Sequence, residues 1–226
     1  MKKKRLDVVM VERGLAETRS QAQALVLAGR VPGHSKAGEQ VEDSVEIEVE
    51  AGPRFVSRGG EKLAHALEAF SVDVAGEDCL DVGASTGGFS DCLLQAGAAR
   101  VCALDVGYGQ LHPRLRDDPR VTVIERKNVR ELDCAELPFR PTFITCDVSF
   151  ISLAKALPPA LGCAEPGWRA LVLVKPQFEA GRAEVGKGGV VRDPEVHRRV
   201  VDEVSGRAEE WGARVEGVTD SGLPGP

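Results

Sequence analysis

Apolar positions along this chain follow two rhythms that change over near residue 50. Leu6, Val9 and Met10 recur at helical spacing, and Gly14 ends that run. Thr18-Arg19-Ser20-Gln21 then supplies a capping side chain for a second helix reaching about residue 28. Gly29, Arg30 and Val31 lead to an alternating run, Val41, Val45, Ile47 and Val49, which predicts a small sheet. Further on, short continuous apolar runs take over. They predict strands ending at Val82 and spanning 101–104, 121–124, 142–146 and 169–174, with helical patterns at 89–96, 151–161 and 193–211. Strands alternating with helices predict an α/β fold with a doubly wound parallel sheet, whose ligands sit at the carboxyl ends of the strands. The expected organisation is a small α+β domain over 1–52, a linker at 53–56 and a sheet domain over 57–226. Pro53 stiffens that linker, and Arg54 and Phe55 are expected to offer a charge and an aromatic face.

Composition places this pattern in a setting. A chain of 226 residues with 42% hydrophobic residues can bury a core, and it contains no apolar run long enough for a membrane span and no signal-peptide core. A soluble cytoplasmic protein is expected. Cysteines 79, 92, 102, 134, 146 and 163 form no C-x-x-C pair, so they read as buried thiols and not as a metal site or a disulfide framework. The formal net charge is −6, yet residues 1–30 carry seven basic side chains, Lys2 to Lys4, Arg5, Arg13, Arg19 and Arg30, against Asp7, Glu12 and Glu17. That local excess of positive charge on a helix pair suits contact with RNA phosphates, or else a solvated helix face.

The densest chemistry lies in C-L-D-V-G-A-S-T-G-G-F-S-D, residues 79–91, where an apolar strand breaks into a glycine turn before a helix. Four readings compete. The dinucleotide fingerprint would place a second glycine where Ser85 stands, which counts against NAD or FAD. Gly83-Ala84-Ser85-Thr86-Gly87 matches the hydrolase elbow G-x-S-x-G, but the only late histidine, His197, falls inside a helical pattern, a poor place for a triad base. S-adenosylmethionine suits an acid at the strand end, Asp81, with Gly83, Ala84, Ser85, Thr86, Gly87, Gly88 and Phe89 around the methionine part. The bland alternative is a helix start that merely needs glycine. Asp105, ending the second strand of the sheet domain, can accept from both ribose hydroxyls of an adenosine, or else serve as a turn acid before Gly107. Asn128, past the third, can meet the adenine edge, or else is an ordinary loop asparagine.

Several runs together carry a resemblance. Residues 5–31 are similar to the small RNA-binding domain named after the fourth ribosomal small-subunit protein. The runs S-R-G-G-E-K-L from Ser57, D-V-G-A-S-T-G-G-F from Asp81, D-V-G-Y-G-Q-L from Asp105, D-V-S-F-I-S-L from Asp147 and V-K-P-Q-F-E-A-G from Val174 resemble, in this order, the TlyA family of ribosomal RNA 2′-O-methyltransferases, also called hemolysin A. The resemblance implies a Rossmann-like class I methyltransferase sheet after an RNA-binding domain, S-adenosylmethionine as cofactor, and cytidine 2′-hydroxyls in 16S and 23S rRNA as acceptors. Ribosomal RNA or ribosomal subunits are the implied partners.

A ribose hydroxyl is a weak nucleophile, so transfer to it requires alignment and a group to take the proton. Lys62, Asp147 and Lys175 match the first three members of the family's Lys-Asp-Lys-Glu tetrad, with Lys175 expected as base, its proton loosened by burial or by Lys62 nearby, and Asp147 holding it. Arg5, Arg13, Arg19 and Arg30, with Arg182 and Lys187 in the glycine-rich stretch 179–192, are the candidate RNA contacts. Two departures from the family pattern bear on this. The run 221–226 is followed in the family by a glutamate and a final strand beside an expected strand at 215–218, so weak activity and marginal folding are expected of these 226 residues. Val31-Pro32-Gly33-His34-Ser35 stands where the family has a V-N-G hairpin. The resemblance also implies that the linker couples RNA docking to cofactor binding. An RNA-binding protein without catalysis and a membrane-lytic hemolysin are the rival functions; nothing in the sequence supports lysis.

Overall fold

The computed structural model describes residues 3–223; Lys2 of the basic cluster and Pro224 to Pro226 of the terminal run lie outside them. The chain divides into two compact units with the boundary between Arg54 and Phe55. In the smaller unit, β1 (Lys3–Arg5) leads into α1 (Leu6–Glu12), then α2 (Arg19–Leu27) and β2 (Gln40–Glu42). Thr18 caps α2 by accepting from the Gln21 amide at 3.2 Å, as its position before the helical run predicts. Leu6, Val9, Met10, Ala22, Val26 and Val31 form the core of this unit. Strand β1 pairs antiparallel with β2, with Lys4 opposite Val41. The expected sheet over residues 41–49 is therefore corrected: only its first residues pair, and Val45, Ile47 and Val49 pack on the core as irregular chain. Alternation orients side chains inward but provides no neighbouring backbone.

The larger unit runs α3 (Gly59–Ala69), β3 (Asp78–Val82), α4 (Gly88–Gln95), β4 (Arg100–Leu104), α5 (Pro113–Arg116), β5 (Val121–Ile124), β6 (Phe143–Cys146), α6 (Leu153–Gly162), β7 (Arg169–Val172), α7 (Pro176–Glu179) and α8 (Pro194–Gly206). The five strands are parallel in the order β5-β4-β3-β6-β7. Successive strand residues face opposite layers, which is why the runs read as continuously apolar. Cys79, Val101, Ala103 and Phe143 pack with Leu63, Phe89 and Leu93 of α3 and α4. Leu80, Val82, Cys102, Leu104, Ile144 and Cys146 pack with Leu153, Ala156, Leu157 and Ala160 of α6. Because the chain moves outward from β3 through β4 to β5 and then returns to β6, the order reverses beside β3. A doubly wound sheet opens its ligand crevice at that reversal.

Three further expectations are corrected. Phe55 does not offer an aromatic face: it is 2% exposed and packs under α3, where a methyl on Gly60 would come within 2.3 Å of its ring. Cys134 and Cys163 are joined by a disulfide, while Cys79, Cys92, Cys102 and Cys146 are free and buried as expected. Their separation of 29 residues carries no motif, and only the packing of α6 brings them together. Residues 215–218 form no strand, so among the described residues nothing pairs outside β7, which is one edge of the sheet. That stretch runs past α3 instead, with Gly217 against the Phe70 ring and Asp220 3.5 Å from His65 Nε2.

Candidate active site

The glycine turn after β3 is shaped by three contacts. Gly83 has φ +84°, and a methyl there would lie 2.7 Å from the carbonyl oxygen of Asp147, so the turn presses directly on the end of β6. Gly88 abuts the S-R-G-G run: a methyl would meet Ser57 Oγ at 2.2 Å and the Gly60 amide nitrogen at 2.8 Å. Gly87, at φ +95°, lies under the side chains of Leu111 and Leu115. These residues are glycine because atoms of three other segments, the backbone at Asp147, the Ser57–Gly60 run and the Leu111 and Leu115 side chains, occupy the space of a side chain. Ser85 adopts φ +49°, a left-handed conformation, where the dinucleotide fingerprint has glycine.

Both oxygens of Asp105 are aimed by backbone amides, one from this turn and one from its own segment. Oδ2 accepts from the Ser85 amide at 2.7 Å and Oδ1 from the Gly107 amide at 2.6 Å. A carboxylate has about four acceptor positions, so two remain for a ligand. Val106, 71% exposed, supplies apolar surface beside it. The turn 83–88 contains no lysine or arginine, which suits a nucleoside without phosphates. These features fit an adenosyl group. Ala84 and Phe89 are buried, Ser85 and Thr86 exposed. Asn128 lies past β5, as expected, with its Oδ1 accepting from the Arg130 amide.

Asp81 takes a different place from the one expected. It is fully buried, and its oxygens accept from Ser90 Oγ at 2.7 Å and Thr145 Oγ1 at 3.0 Å, which ties β3 to α4 and β6. Burial pushes its carboxyl up to about 6 despite those hydroxyls. Asp81 thus organises the turn, and Asp105 is the acid presented at the crevice.

Lys175, directly after the β7 run, places Nζ 2.5 Å from Asp147 Oδ1 and 2.9 Å from Ser149 Oγ. Both members of the ion pair are mostly buried, 18% and 19% exposed. The segments carrying them are knitted further along. Phe178 packs on Phe150 with ring centroids 5.1 Å apart and the rings tilted by 50°, and Glu179 accepts from Ser152 Oγ at 2.6 Å and the Leu153 amide at 2.7 Å. Phe150 holds a strained φ of +65° and is 92% exposed beside the pair. Ser149, Phe150, Phe178 and Glu179 were missed as site residues. Ser152 at the start of a helical run was the usable signal for a cap that Glu179 reinforces. Lys62 lies on α3, half-buried, three residues beyond Gly59 and without an ion pair among the described residues.

Ser85 Oγ donates to Gln110, while Nε2 of His197, on α8, is engaged with the Val191 carbonyl oxygen. No serine–histidine contact exists between them, which removes the hydrolase reading. Among the described residues no cluster could hold a metal ion, and no helix is long and apolar enough to cross a membrane.

The candidate RNA contacts are partly committed inside the fold. Arg5 and Arg19 pair with buried Asp7, Arg13 donates to the Val45 and Asp43 carbonyls, and Arg30 donates to the Glu50 carbonyl. Arg182 and Lys187 are exposed. Their loop is held at Glu184 by Arg199 at 2.6 Å.

The FtsJ-like methyltransferase family matches residues 55–221, and the S4 domain matches residues 4–31. The 16S/23S rRNA (cytidine-2′-O)-methyltransferase TlyA of Mycobacterium tuberculosis is 49% identical over 98% of this chain and 85% of its own length. The chain belongs to the TlyA family of FtsJ-like methyltransferases. Hemolysin A of Brachyspira hyodysenteriae is similar too, at 40% identity over 98% of this chain and 94% of its own. A solved Streptococcus thermophilus structure that carries a hemolysin name superposes with a TM-score of 0.72 at 42% identity, covering 96% of this methyltransferase and 82% of that chain. The crevice residues of the methyltransferase, from Gly83 to Lys175, all fall within the part that the FtsJ-like family matches.

Proposed function

We propose that this methyltransferase moves a methyl group from S-adenosylmethionine to the 2′-hydroxyl of a cytidine in ribosomal RNA, in the cytoplasm. The observation that carries this reading is the Lys175–Asp147 ion pair, whose Asp147 backbone lies against Gly83; it supports a proton-handling group near the turn that suits the donor. When bound, the sulfonium supplies an electrophilic methyl group.

Asp105 accepts from the ribose hydroxyls of the adenosyl part, and the backbone of 83–88 lines the methionine side. Lys175, once it has given up its own proton, takes the proton of the attacking hydroxyl. Asp147 then holds the ammonium that results, which stabilises charge where it develops. Lys62, carried by the helix whose first turn touches Gly88, orients the acceptor. Arg182 and Lys187 contact RNA phosphates, joined by the outer faces of Arg5, Arg13, Arg19 and Arg30.

The test is transfer of radiolabelled methyl to ribosomal subunits, with mapping of the modified ribose. Lys175→Ala is expected to lose transfer by at least about a hundredfold and to keep RNA binding. Loss of binding in that variant would make Lys175 an RNA contact, and absence of transfer from the unaltered chain would support RNA binding without catalysis.

A further inference from the structure

Asp91 lies in the first turn of α4, three residues after Gly88, with a side chain only 5% exposed. Its Oδ2 accepts from the Val56 amide and from Arg114 Nη2, each at 2.8 Å, and its Oδ1 accepts from Gln95 Nε2 at 3.0 Å. Of these three donors only Arg114 brings a charge. A buried carboxylate without a charged partner is costly, so the pair binds its two elements together. Arg114 itself is 62% exposed, and the element that carries it, α5, is a single turn of four residues. So short a helix does not persist without tertiary anchors.

What α5 touches gives the pair its meaning. Leu111 and Leu115 are buried, and a methyl on Gly87 would come within 2.8 and 2.2 Å of their Cδ1 atoms. The His112 amide donates to the Thr86 carbonyl at 3.1 Å. The segment from Asp105 through α5 is thus one wall of the glycine turn. It is closed at one end by the Ser85 and Gly107 amides on Asp105 and at the other by Arg114 on Asp91.

We propose that Asp91 and Arg114 are a positioning pair for the cofactor: they hold α5 against the glycine turn, keep the Asp105 carboxylate in register with it, and so set the affinity for the nucleoside part of the ligand. This rests on the adenosyl reading of the crevice. Neither residue touches the reacting atoms.

The experiment titrates the 226-residue chain with S-adenosylhomocysteine by calorimetry and follows hydrogen exchange in the ligand-free protein. Arg114→Ala is expected to weaken binding by about tenfold, ~1.4 kcal/mol. Arg114→Lys should recover most of the loss, and Arg114→Ala combined with Asp91→Asn should bind no worse than Arg114→Ala alone. Exchange in the Arg114→Ala variant should rise over residues 105–116, stay unchanged in β6 and α6, and return to the unaltered level at saturating ligand. Unchanged affinity in Arg114→Ala overturns the proposal. So does an exchange increase spread evenly through the sheet, which would mean general loosening. If the unaltered chain binds no S-adenosylhomocysteine, the adenosyl reading itself fails, and the latch with it.

Discussion

Glu179 shows how much a single carboxylate can position. It accepts from both Ser152 Oγ and the Leu153 amide, so it joins the turn after Lys175 to the start of α6 and constrains the approach of Lys175 to Asp147. Glu179→Gln leaves an amide that can satisfy only one of those donors well. We expect kcat for methyl transfer to drop about tenfold, with cofactor affinity unchanged, since a slight misplacement of a proton-handling group lowers rate more than binding. Steady-state kinetics against a cofactor titration would check this. Asp81 gives a pH prediction. Its folded-state value near 6 lies above its ordinary 3.8, so between those values the folded chain holds a proton that the unfolded chain has released. Stability therefore falls as pH rises through that window. Asp81→Asn should stabilise the larger unit more at pH 7.5 than at pH 4.5, pH values chosen roughly on either side of that window. Denaturant titration at the two values measures it. Asp81 was legible in the sequence as an acid at a strand end. Its burial against Ser90 and Thr145 was not, because that depends on which hydroxyls α4 and β6 bring to it.

At the scale of elements, the glycine turn is where local sequence and tertiary contact agree. The expected strand, turn and helix form within a residue or two of their predicted bounds, and the reason lies outside the segment: Asp147, Gly60 and Leu115 crowd it. Gly83→Ala combines a disfavoured φ with a methyl 2.7 Å from the Asp147 carbonyl, and should cost roughly 1–3 kcal/mol and abolish cofactor binding. Gly76→Ala is the control. Its φ of +76° is similar, but nothing lies within 4 Å, so it should cost about 1 kcal/mol and leave the affinity intact. Thermal melts with and without S-adenosylhomocysteine separate the two. The run at 41–49 misled for the opposite reason: Val45, Ile47 and Val49 point to the core with no strand beside them to complete a ladder.

Across the whole molecule, stability rests on features that no single segment contains. The Cys134–Cys163 disulfide encloses β6, Asp147, Ser149 and all of α6 in one closed loop. Restricting that loop in the unfolded chain is worth roughly 3 kcal/mol. Reductant should lower the denaturation midpoint of the unaltered chain and leave that of Cys134→Ser unchanged. In the smaller unit, the Arg5, Gln23 and Arg19 side chains hold the buried Asp7 carboxyl well below its usual range, Arg5 most strongly. A depressed carboxyl contributes stability above the unfolded value and loses it as pH falls. The smaller unit should therefore weaken in acid below about pH 4, the unperturbed carboxylate range, and Asp7→Asn should weaken it at neutral pH as well. Circular dichroism across a pH series would register both effects.

The sequence alone determined the alternation of strands and helices, the glycine turn without a phosphate-binding charge, and the order of the runs containing Lys62, Asp147 and Lys175. These are local properties: periodicity, backbone permissiveness and residue chemistry are written within a few positions of each other. Tertiary structure decided which acid faces the crevice, which cysteines meet, which arginines are already engaged, and that Asp91 and Glu179 anchor the walls of the site. Each of those depends on a distance between residues far apart in the chain, and burial and pairing energies arise only once packing has set that distance.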